Sequence, residues 1–87
     1  MCYYIDCAQC YDREDLYPYL QETLHLPSYM GHNLDALWDA MNDQAPMEIV
    51  LEDARFLLDH LDDYGRLVLD LFGDLDQETD HQVIMKW

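Results

Sequence analysis

The chain has 87 residues, half of them hydrophobic, and sets 19 acids against four Lys and Arg for a formal net charge of −15. That size and composition predict one small domain with a core of its own, and no run of about 18 apolar residues is present to span a membrane. The charge excludes a nucleic-acid or anionic-membrane surface, since nothing is there to neutralise phosphates, and favours a basic protein partner.

In chain order, Cys2 to Cys7 (CYYIDC) is aromatic and β-branched and predicts a strand. The N-terminal MCYYIDCAQC has neither the basic nor the long apolar segment of a secretory signal. Three cysteines bunched at one end are odd in number and do not make a disulfide framework, so free thiols in a reducing cytoplasm are expected. Cys7-x-x-Cys10 is half a zinc site or a redox pair without its second half, the nearest histidine being His25; neither a metal nor a cofactor is predicted.

Asp12 to Leu24 predicts a helix with Leu16, Leu20 and Leu24 on one face. Pro18 is tolerated only in a first turn, which places the regular helix from about Glu14 or Asp15. Leu26 to Gly31 is a loop punctuated by Pro27 and Gly31, and Asn33 is a good N-cap for a second helix running to Asp43. Gln44 to Met47 is a linker. Glu48 to Glu52 (EIVLE) fits a strand buried on both faces. Asp53 is placed to cap a third helix, Ala54 to Leu61; Asp62 to Gly65 breaks it, and a fourth helix runs from Arg66 to Asp76, where Gly73 could permit close approach of another surface. Asp80 to Trp87 predicts the last strand. Strand, two helices, strand, two helices, strand is an α/β order, a three-stranded parallel sheet with the helices on one or both faces.

Catalysis finds no footing. Ser28 is the only serine and lies in a proline-adjacent loop without a nucleophile elbow, and the glycines form no phosphate loop. His25, His32, His60 and His81 lack metal spacing and are expected at the surface or in loops. No catalytic residue is assigned.

The second helix carries the clearest conflict. Leu34, Leu37, Trp38 and Met41 share one face, and Asp35, Asp39 and Asp43 share another, about 130–150° away. Each like-charge i, i+4 pair costs about 0.2–0.5 kcal/mol, Asp43 opposes the helix dipole, and no Lys or Arg lies between Arg13 and Arg55. The stripe is either a solvated face or one awaiting a cationic surface supplied by another molecule. Tyr29 and Trp38, of the residue types most used as interface anchors, read either as anchors or as core.

The segment L-P-S-Y-M-G-H-N-L-D-A-L-W-D-A-M, Leu26 to Met41, resembles the signature of the barstar family of intracellular ribonuclease inhibitors. Weaker similarity continues through Asp15, Leu16, Leu20, Leu24 and Val50-Leu51-Glu52. The resemblance implies a three-stranded parallel sheet with four helices, and a monomer that forms a 1:1 complex with a basic, exported, barnase-like ribonuclease. It implies that the second helix and the loop before it plug the nuclease active site as an anionic mimic of RNA. Carried over residue by residue, Tyr29, Gly31, Asn33, Asp35, Trp38, Asp39 and Asn42 match the partner-binding stretch. Asp39 would enter the phosphate pocket and Asp35 would pair with a base at its rim, both through charge-assisted bonds.

If Phe72 aligns with the family's phenylalanine in the last helix, Asp74 takes the place of a contacting glutamate, one methylene longer. His32 stands where the family has an acid, Asp43 where it has a glycine, and Gln44 where it has an aromatic. The competing reading is an acidic immunity or masking protein for a different basic toxin or a nucleic-acid-binding protein.

Overall fold

The computed structural model describes residues 1–87. Three strands, β1 (Cys2–Asp6), β2 (Glu48–Glu52) and β3 (Gln82–Met85), form one parallel sheet in the order β1-β2-β3. Four helices lie between them: α1 (Arg13–Leu24), α2 (Leu34–Asn42), α3 (Arg55–Leu61) and α4 (Asp63–Glu78). This is the α/β architecture that the element order predicts. No helix is long and apolar enough to cross a membrane.

The strand alternation shows where the helices sit. Tyr3, Ile5, Ile49, Leu51, Val83 and Met85 point into the core or pack against it. There they meet Tyr17, Leu20 and Leu24 of α1, Leu37 and Met41 of α2, Leu57 of α3, and Val68, Phe72 and Leu75 of α4. On the opposite face, Tyr4 and Ile84 are 60% and 55% exposed and flank Val50 in register. The helices thus cover one face only. β2 is nonetheless buried on both faces, as its apolar run predicts: Ile49 and Leu51 face the helices, and Val50, 6% exposed on the open face, lies between its cross-strand neighbours Tyr4 and Ile84 with no second layer above it.

Several boundaries move, each for a local reason. β1 ends at Asp6, whose carboxylate accepts from the Ala8 amide and starts a single 3-10 turn over Cys7–Gln9. α1 begins at Arg13 and passes through Pro18 in its second turn. Asp12 caps it by accepting from the Asp15 amide at 2.9 Å, and Pro18 stands on the exposed side of the helix. Asp53 does not cap α3: it adopts a left-handed φ of 54°, and Ala54 opens the helix without a side-chain bond. β3 is shorter than expected at both ends.

The break between α3 and α4 is one residue, Asp62, at φ 52°. Gly65 belongs to the first turn of α4, and it, rather than Gly73, is the close-approach glycine. A Cβ on Gly65 would lie 1.8 Å from the Leu57 carbonyl oxygen, whereas one on Gly73 would meet only the Met85 methyl at 4.0 Å.

Cys7 and Cys10 are fully buried in the core. Loss of solvent, aided for Cys7 by the nearby Cys10 and for Cys10 by Asp6, pushes both thiols up to about 12. They are therefore neutral packing groups. Because their folded values lie above the unfolded value of about 8.5, their stabilisation is complete below that pH and is lost as pH rises toward 12. Urea unfolding should show stability falling by up to ~1.4 kcal/mol per pH unit for each thiol above about pH 8.5, with a shallower fall in Cys7→Ala. A flat profile between pH 8 and 10 would contradict this burial.

Candidate binding surface

α2 is the element around which the surface is built. Leu37, Ala40 and Met41 bury its inner face, while Asp35, Asp39, Asn42 and Asp43 are exposed on the outer one. Both ends are fastened. At the start, Asn33 Oδ1 accepts from the Ala36 amide at 2.8 Å, as its N-cap position predicts. At the end, the buried His81 accepts from the Met47 amide through Nδ1 (3.1 Å) and reaches the Met41 carbonyl through Nε2 (2.7 Å). A carbonyl only accepts, so Nε2 carries the proton. His81 is thus a loop histidine, as expected, but a buried one that braces the core rather than a surface one. The carboxylates stand on a helix that cannot slide or fray freely, which is what a preorganised site needs.

Asp35 lies in the first turn, where the helix dipole favours a negative charge; Asp39 follows one turn later, and Asp43 is the C-cap residue, where the dipole opposes it. Trp38 is half-buried, packed on the core with its remaining surface open. With Leu34, Asp35, Leu67, Leu71 and Asp74 it lines a shallow groove of about 220 Å³. α4 thereby brings Asp74 to the same groove as Asp35 and Trp38.

Asn42 is placed differently. Its side-chain amide donates to the Trp38 carbonyl at 2.8 Å, and it borders a separate polar hollow with Gln44, Thr79 and Asp80.

The loop before α2 holds Leu26 and Met30 in the core and turns Tyr29 outward, 89% exposed. The Met30 amide donates to the Pro27 carbonyl at 3.1 Å to close this turn. Gly31 has no positive φ; its role is steric. A Cβ there would sit 3.2 Å from Asn33 Nδ2 and 3.4 Å from Ala36 Cβ, so a side chain would press on the N-cap of α2.

A family model described as "Barstar (barnase inhibitor)" matches residues 1–86 of this chain. The chain belongs to the barstar family. It is also similar to a Bacillus subtilis (strain 168) protein named "Putative ribonuclease inhibitor YrdF", at 34% identity over 67 residues, which is 75% of this chain and 74% of that protein. Membership of the barstar family carries ribonuclease inhibition, a binding function and not an enzymatic one.

Not every residue lining this candidate surface of the barstar-family chain was visible in the sequence. Arg13 and Tyr64 line a second hollow with Asn33, Leu34 and Asp35. The Arg13 guanidinium lies over the Tyr64 ring at 4.1 Å, a cation–π contact that sets a base beside the acid face. Tyr64 also hydrogen-bonds Tyr17 hydroxyl to hydroxyl, joining α4 to α1. The exposed Leu67 adds an apolar edge to the Trp38 groove. No local signal marks these residues, because α1 and α4 reach α2 only through tertiary packing.

Proposed function

We propose that this barstar-family chain blocks the active site of a basic, exported, barnase-like ribonuclease by seating α2 and the loop before it in the site that RNA phosphates occupy. In this reading Asp39 takes the phosphate position, Asp35 and Asp74 meet bases at the rim, and Tyr29, Gly31, Asn33, Trp38 and Asn42 complete the contact. The complex is 1:1 with a monomeric inhibitor and forms in the cytoplasm of the producing cell, before the nuclease can act there. One observation carries the reading: Asp35 and Asp39 stand exposed and on successive turns of a helix pinned at both ends, beside a groove that Trp38 and Asp74 share. Fixed carboxylates facing outward are matched by fixed cations, whose charge-assisted bonds are about twice as strong as neutral ones.

The test is co-purification with, and inhibition of, a small basic ribonuclease from the same cell. With a net charge of −15, association should be electrostatically steered. Raising salt from about 0.05 to 0.5 M is expected to slow association about 10- to 100-fold while dissociation changes far less; the family's own complex is the standard example of this effect. A salt-independent association rate would contradict the charge reading. Tight binding to a basic partner without nuclease activity would select the masking-protein alternative.

A further inference from the structure

We propose that Gln21 is a positioning residue that latches the Tyr29 loop in its binding conformation, an inference that rests on the reading of this loop as part of the ribonuclease-binding surface.

A single side chain on α1 spans both ends of the loop. Gln21 Nε2 donates to the Pro27 carbonyl at 3.0 Å, and Gln21 Oε1 lies 3.1 Å from His32 Nε2. The amide orientation is forced: a flipped amide would set oxygen against the Pro27 carbonyl oxygen, and neither can donate. Oε1 therefore faces His32, whose Nε2 must carry the proton. The backbone of the same residue holds the chain just before the loop, since the Gln21 carbonyl accepts from the His25 and Leu26 amides, the latter at 2.9 Å.

The far end of the latch is itself braced. The His32 ring stacks on Tyr17, centroids 5.6 Å apart and planes 12° apart, and Tyr17 sits one turn before Gln21 on the same face of α1. The Tyr17 hydroxyl is tied to Tyr64, which lines the hollow next to Asp35. His32, which stands where the family has an acid, is thus part of the loop's support. Between the two latched residues the loop presents Tyr29 to solvent with only the Pro27–Met30 turn inside it. An exposed aromatic on an unlatched loop would have to be ordered at the moment of binding, which costs affinity and slows association.

The test uses Gln21→Ala, which removes both side-chain bonds, and Gln21→Glu, which keeps an acceptor for His32 but loses the donor to Pro27. Both residues are strong helix formers, so α1 is retained. Nitrogen-15 relaxation of the free protein, which needs no nuclease, should show amide order parameters of residues 28–32 falling below about 0.6 in Gln21→Ala. In Gln21→Glu the fall should be confined to residues near Pro27. Against a ribonuclease that the unsubstituted protein inhibits, Gln21→Ala should inhibit about 10-fold more weakly, mainly through slower association. Tyr29→Ala should then cost less in that background than alone, a non-additivity that general destabilisation would not produce. Unchanged loop order in Gln21→Ala, or effects of Gln21→Ala and Tyr29→Ala that simply add, would overturn the latch. Absence of inhibition by the unsubstituted protein would instead overturn the functional reading.

Discussion

Asp39→Ala is expected to weaken ribonuclease inhibition by ~4 kcal/mol or more, a loss of at least a thousandfold in affinity, while making the free protein slightly more stable. The binding loss follows from stripping a charge from a site that the partner would desolvate, which leaves the partner's cations unpaired. The opposite sign in stability follows from the helix itself. Asp39 stands between Asp35 and Asp43 at i−4 and i+4 on one exposed face of α2, so removing it relieves two like-charge pairs, each worth about 0.2–0.5 kcal/mol. Alanine also has the higher helix propensity. Inhibition assays paired with thermal unfolding measure both. A side chain kept for solvation or folding would not show binding lost and stability gained together; a residue kept for a partner does. Asp43→Ala, at the unfavourable end of the dipole, should raise stability with a far smaller effect on inhibition.

Gly65→Ala is expected to cost at least ~3 kcal/mol of stability and to prevent folding if the protein lies at the marginal end of the usual range. The added methyl would sit 1.8 Å from the Leu57 oxygen and 2.4 Å from its carbonyl carbon. Both are backbone atoms of α3, so no side-chain rotation relieves the clash. The two helices must separate, and with them Leu57, Val68 and Phe72 leave their packed positions. α4 also carries Tyr64, Leu67, Leu71 and Asp74 to the grooves beside α2, so any folded fraction should bind more weakly. Gly73→Ala is the control: its new Cβ would meet only the Met85 methyl at 4.0 Å, and the change should be neutral or stabilising. Urea unfolding of the two variants separates them, and equal midpoints would contradict the close packing of α3 on α4.

The same glycine shows where sequence reasoning stopped. Asp62 to Gly65 has the composition of a loop, but the turn needs only Asp62, and Gly65 is spent on helix contact. Nothing local distinguishes the two uses. Pro18 misled in the same way: the first-turn rule governs an isolated helix, while here a capped start and a buried face on Leu16, Tyr17, Leu20 and Leu24 carry the helix across it. His81 was hidden because its partners, Met41 and Met47, are distant in sequence.

By contrast, the sheet, the four helices and the cap at Asn33 were legible, since apolar spacing and capping chemistry act over a few residues. The candidate surface divides along the same line. Asn33, Asp35, Trp38 and Asp39 lie in one contiguous stretch, and the conflict of stacked carboxylates marks them. Arg13, Gln21, Tyr64 and Leu67 reach the surface from other helices and carry no pattern of their own.

The most direct test of the central claim is competition at the nuclease active site. A basic ribonuclease that this protein inhibits is loaded with a mononucleotide carrying a terminal phosphate, and inhibitor binding is titrated at increasing nucleotide. Occupation of the phosphate pocket by Asp39 predicts mutually exclusive binding, with the apparent dissociation constant rising linearly with nucleotide concentration, without a plateau, and no ternary complex. A ternary complex of nuclease, nucleotide and inhibitor, formed with undiminished affinity, would show that α2 docks elsewhere.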